Sequence, residues 1–233
     1  MTSTSPTRKL STDRHAEWML VAGPLAGCTF LIVSFAQVAI REGFDLSKHP
    51  LSALSLGDGG WLQVSNFVLT GVLALFFAAG VRLALHPGRA GTWGPILIGG
   101  YGLGLIMSGI FKTDPGYGFP AGAPAGMPAE FSSSAILHAV FATIAFTSIV
   151  AAGGVLARRF AALRQPLWAT YCAISAAAAF ILIALPSSDG ASIRFAVGAL
   201  LTSGWLIVLG LRLIAESNRQ EGSAGWDSVS SAP

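Results

Sequence analysis

The sequence predicts an all-α fold: a polytopic transmembrane bundle of about six helices, with both termini cytoplasmic. Three observations predict it. Only 11% of the 233 residues are charged and 53% are hydrophobic, whereas a soluble domain carries about 25% charged residues. Apolar stretches of roughly 18–25 residues recur along the chain, each long enough to cross a hydrocarbon core about 30 Å thick. The basic residues gather in alternate gaps between those stretches.

The first span covers about Trp18 to Ile40, too long for the core of a cleaved signal, and reads as an uncleaved anchor. Pro24 falls in its first turns, where a kink is tolerated. The second runs from Trp61 to Leu85, the third from Gly94 to Phe111 and the fourth from Ala135 to Leu156. The fifth covers Trp168 to Leu185 and the sixth Ile193 to Ile214. Trp18, Trp61, Trp93 and Trp168 stand at span starts, where amphipathic indoles prefer the headgroup layer. Trp205 is mid-span and reads as a packing residue. Small residues such as Gly100, Gly104 and Gly153 let helix backbones approach closely within the bundle. The domain plan is therefore a disordered cytoplasmic tail over residues 1–17, a six-helix transmembrane domain over 18–214, and a second such tail over 215–233.

Charge sets the orientation. Arg41, Lys48, Lys112 and Arg194 lie in one set of gaps, and the other ten of the fourteen Lys and Arg lie in the opposite set or the tails. The positive-inside rule then places both termini in the cytoplasm of a multi-pass cell-membrane protein. The pI of about 9.2 does not indicate nucleic acid, because the basic residues form no continuous stripe. Cys28 and Cys172 both sit inside apolar runs and form no disulfide framework.

The outward gaps hold most of the residues with chemistry. The first, Arg41 to Gln63, is apolar at Leu51, Leu54 and Leu56 and is broken by Pro50 and Gly57. It suits a short interfacial helix whose start Asp45 or Ser47 would cap. The second outward gap is long and rich in Pro and Gly, the type of loop that is often functional, and Asp114-Pro115-Gly116 signals a turn in it. His138 lies about one turn into span four. An ionisable residue in a membrane is costly and usually has a partner, and Asp114 is the natural one. His49 and Asp189 should lie at a similar depth. His49, Asp114, His138 and Asp189 are thus candidate ligands for a divalent metal such as zinc, with a position left for water. A zinc-bound water, its pKa lowered to about 7, is a hydrolytic nucleophile. His138, Asp114 and His49 are the catalytic candidates on that reading. The same residues serve equally as a polar cluster without metal, because no HxxxH, HExxH or CxxC spacing is present.

These residues also carry a family likeness. The run from His49 to Gly57, followed by Gly60-Trp61-Leu62-Gln63 and Asn66-Phe67, resembles the first signature of the domain-of-unknown-function 998 family. Gly109-Ile110-Phe111 leading to Asp114-Pro115, then His138, resembles its second. The family comprises prokaryotic membrane proteins of about six spans, and the likeness covers roughly residues 18–214. It implies that the outer cluster is a family trait, and it implies no activity. A looser likeness is to the membrane hydrolases that include alkaline ceramidases and adiponectin receptors. Those have seven spans and an HxxxH pair in the last, whereas span six here has no histidine.

Three functions follow. The leading one is an integral membrane protein that binds a lipid of the outer leaflet, or a partner, through its outer polar cluster. The first alternative is a membrane-embedded metal-dependent lipid or amide hydrolase. The second is a small-molecule transporter, which the span centres disfavour because they lack Asp, Glu, Lys, Arg and His.

Overall fold

The computed structural model describes residues 7–184 and 191–230, with side chains over 15–184 and 191–219. Six helices follow in order: α1 Thr7–Ile40, α2 Gly60–Leu85, α3 Trp93–Ile110, α4 Ser133–Ala162, α5 Pro166–Ala184 and α6 Ala191–Ser230. A short 3-10 helix, Leu51–Ser55, lies between α1 and α2. All six α-helices are long and apolar enough to cross a membrane, and the stretches that qualify in α1 and α6 are His15–Ile40 and Ala191–Arg219. At 1.5 Å per residue, even α3, with 18 residues, spans about 27 Å. The interfacial helix expected near Leu51 is present, as 3-10 rather than α. Gly57, with φ of +70°, and Gly59-Gly60 turn the chain from it into α2.

The helices form a ring. Each packs on its neighbour in sequence, and α6 closes against α1. Close approach depends on missing side chains. A Cβ at Gly104 of α3 would lie 2.8 Å from the Cβ of Ala145 in α4, and one at Gly71 of α2 would lie 2.5 Å from the Gly102 carbonyl of α3. Dispersion between such surfaces holds apolar helices together where lipid removes any hydrophobic drive. Outward faces are correspondingly apolar: Trp18, Ile32, Trp61, Trp93, Leu167 and Ile174 are all exposed.

The two halves of the ring are filled differently. Because the helices alternate in direction, late residues of α2, α4 and α6 share one end with early residues of α1, α3 and α5. Fully buried Leu20, Phe77, Val81, Leu156, Phe160 and Leu209 all fall in that half. We call it the basic end, after Arg82, Arg159, Arg164 and Arg212. The other half, the loop end, carries the 3-10 helix and the 111–132 connection, and it encloses a cavity.

Candidate functional site

The cavity has a volume of about 450 Å³ and takes side chains from all six α-helices and the 3-10 helix. Its walls are mainly apolar, including Phe30, Phe67, Leu105, Phe146, Phe180 and Phe195. Thr143, Thr147 and Phe180 line it and are also exposed, so it opens sideways between α4 and α5. Among the described residues no Asp, Glu, Lys or Arg lines it. The hydroxyls of Thr143, Thr147 and Thr202 bond back to carbonyls of their own helices. The hydroxyls of Ser52 and Tyr101, the buried Ser108 Oγ and one nitrogen of His138 stand at the wall without such a partner among the described residues.

His138 is positioned by its own helix and by the end of another. Ser132 caps α4 by accepting the Ala135 N–H at 3.1 Å, which fixes the first turns and places His138 toward α3. The last carbonyls of a helix have no intrahelical donor. His138 Nδ1 supplies one, lying 2.9 Å from both Ser108 O and Phe111 O. Two acceptors require a proton on Nδ1, so in the neutral ring Nε2 presents a lone pair. The ring is 8% exposed, meets Phe67 edge-on at 6.2 Å, and lines the cavity.

The partner of His138 is therefore the end of α3 and not Asp114. Asp114 accepts from both the N–H and the hydroxyl of Ser132, at 2.7 and 2.6 Å. It fastens the two ends of the 111–132 connection together. Ser134 adds a bond to the Lys112 carbonyl at 2.9 Å. The turn expected at Asp114-Pro115-Gly116 lies instead at residues 117–118, closed by the Gly116–Phe119 bridge, and Asp114 bonds a residue 18 positions away.

His49 pins the two loop-end connections to each other. Its Nδ1 accepts the Asp45 N–H at 2.9 Å, so Nε2 carries the proton and donates to Tyr117 O at 3.0 Å. Phe44 and Phe119 flank the ring, with centroids at 5.4 and 5.3 Å, and His49 is 3% exposed. Asp45 does not cap the 3-10 helix, whose N-cap is Pro50 with no side-chain bond. It caps its own turn instead. Hydrogen bonds from Ser47, then Lys48 at 2.9 Å, hold its carboxyl well below the usual carboxylate range. Arg41 is committed too: it donates to the Leu56 carbonyl at 2.6 Å and stands over the Phe119 ring.

Asp189 lies outside the described residues. Among the described residues no group of three or more His, Cys, Asp or Glu side chains is placed to hold a metal ion. To ligate one, His49 and Asp114 would have to release the bonds just described.

The family model described as Protein of unknown function (DUF998) matches residues 24–212. The chain belongs to this family. The DUF998 match runs from early α1 to late α6 and so takes in every cavity-lining residue, His49 and Asp114. No curated protein and no solved structure matches the chain.

Two polar clusters in this DUF998 chain escape a reading of the sequence by spans. Ser34 and Gln37 of α1 meet Gln63 and Asn66 of α2 in a buried network, with Gln37 Nε2 to Gln63 Oε1 at 2.8 Å and Asn66 Nδ2 to Ser34 Oγ at 3.0 Å. The available signal was the i, i+3 spacing of Ser34 and Gln37, and of Gln63 and Asn66, which puts each pair on one helix face. At the basic end Arg159 of α4 pairs with Glu216 of α6 at 2.6 Å. Arg212 lies 3.7 Å from the same carboxylate and stands over the Trp168 ring at 5.3 Å. Arg212 and Glu216 have i, i+4 spacing, which was readable, but counting Arg159 and Arg212 only as topology markers hid the pair.

Proposed function

We propose that this protein binds a single membrane lipid or lipid-like molecule in the loop-end cavity, taken up sideways from the outer leaflet between α4 and α5. One observation carries the reading: a cavity of about 450 Å³, within the 300–1,000 Å³ range of ligand sites, opens toward lipid through Thr143, Thr147 and Phe180. The mainly apolar walls match an acyl or prenyl chain. His138 and Tyr101 bring polar groups to that wall and would orient a head. The predicted orientation, with the loop end outward and both termini cytoplasmic, supports the assignment to the outer leaflet.

The test is photolabelling of the full chain in nanodiscs that contain a lipid with a diazirine in its chain. The reading expects label on cavity-facing peptides of α3 and α4. In Ala142→Trp, which places an indole in the cavity, that label should fall several-fold while label on the outward face around Ile174 stays constant. Label confined to outward faces in the wild type overturns the reading. Metal analysis provides a second check: a stoichiometric metal that disappears in His138→Ala would replace binding with the metal-dependent hydrolase.

A further inference from the structure

We infer that the ligand of this cavity is a neutral, single-chain amphiphile whose head donates a hydrogen bond, such as a long-chain or prenyl alcohol, seated on His138 Nε2. The inference rests on the cavity being a lipid site and specifies which lipid it takes.

The head chemistry follows from what the wall lacks and what it leaves unpaired. Among the described residues no ionised carboxylate, ammonium or guanidinium faces the cavity. A phosphate, carboxylate or quaternary ammonium head would surrender its hydration there without a countercharge, which is strongly unfavourable in a low-dielectric site. A hydroxyl loses much less, and the wall can return its donated hydrogen bond. His138 Nδ1 is held as a donor by the Ser108 and Phe111 carbonyls, which leaves the neutral ring an acceptor at Nε2. Ser108 Oγ is fully buried without a partner and is closed to a ligand in the cavity. A ligand O–H donating to Nε2 satisfies that acceptor. Tyr101, at the wall, also has no partner for its hydroxyl among the described residues.

The rest of the wall fits one chain. Phe146 and Val150 of α4 and Phe180 of α5 extend the apolar surface away from His138 toward the lateral opening. The head therefore sits deep, near the end of α3, and the chain leads out toward lipid. A phospholipid would bring a charged phosphate to a wall whose described residues offer no countercharge.

The experiment uses the full chain in phosphatidylcholine nanodiscs with three hexadecyl probes that carry the same chain diazirine. One ends in a primary alcohol, one in its methyl ether and one in trimethylammonium. Label on α3 and α4 cavity peptides is normalised to probe content of the disc. The alcohol should label roughly two- to tenfold above the ether, the range of one hydrogen bond to a buried acceptor, and above the ammonium. His138→Phe should erase the preference for alcohol over ether while the chain still labels. Equal labelling by alcohol and ether, or stronger labelling by the ammonium, overturns the ligand class and leaves the cavity reading standing. Failure of all three probes to reach cavity peptides overturns the cavity reading itself. The comparison of alcohol with ether in the wild type does not depend on any variant folding.

Discussion

His138 of α4 closes the open end of α3, with Nδ1 2.9 Å from the carbonyl oxygen of Ser108. The bond joins two helices at the point where the cavity wall begins. It also decides which ring nitrogen keeps the proton, so one side chain both closes α3 and lines the cavity.

Removing that ring should destabilise the bundle. His138→Leu leaves the Ser108 and Phe111 carbonyls short of a donor, and a buried group left unsatisfied costs about 1–3 kcal/mol. His138→Gln, which retains an N–H donor, should cost less. Reversible unfolding in mixed micelles measures both. Equal losses in the two variants would show that packing against Phe67, and not the hydrogen bond, holds the ring.

The ion pair at the basic end should matter more. Arg159 and Arg212 have side chains 10% exposed and share the carboxylate of Glu216, itself 19% exposed. Glu216→Gln leaves two buried guanidiniums without a countercharge, and breaking a buried pair in this way typically costs about 3–5 kcal/mol. The same assay should show this loss persisting at high salt, because buried pairs are poorly screened. A salt-dependent loss would instead place the pair in water.

The turn at Asp45 has a defined pH response. Its carboxyl is depressed in the folded state by Ser47 and Lys48, from an ordinary value of 3.8. A depressed acid contributes stability that is present above its unfolded value and is lost as pH falls through the folded one. Amide exchange at Ser47, corrected for intrinsic rate, should therefore be flat from pH 7 down to the ordinary carboxylate range and rise only below it. Asp45→Asn should raise exchange at pH 7. Loosening of the wild-type turn already near pH 6 would show that the Asp45 carboxyl does not hold it.

Topology is tested by labelling. In a background with Cys28 and Cys172 replaced by alanine, Ala125→Cys should react with an impermeant thiol reagent on intact cells, and Ala161→Cys only after permeabilisation. The reverse pattern would invert the bundle and put the cavity on the inner leaflet.

The spans were legible because length and hydropathy act locally. Gly60–Leu85 and Trp93–Ile110 each fall within one residue of the expected limits at both ends, since Gly, Pro and Trp mark those ends directly. The short helix at Leu51 was visible for the same reason. Partnerships were harder to see. Asp114 read as part of a local turn, and it instead binds Ser132 on the far side of a long connection. His138 read as half of a histidine–carboxylate pair, and its partners are backbone carbonyls. A carbonyl freed at a helix end leaves no mark in residue identity, so no motif search would find it.

By itself, the sequence determined that this chain is a six-span membrane bundle, where its spans lie, and which residues at the loop end bear chemistry. Those properties depend on composition and spacing along one strand of chain. The tertiary structure alone decided that the helices close into a ring, that the ring is packed at the basic end and hollow at the loop end, and that His138 turns one nitrogen to α3 and leaves the other to the cavity. These depend on which helix faces which, and on small residues such as Gly104 and Ala145 meeting across a gap that neither specifies alone.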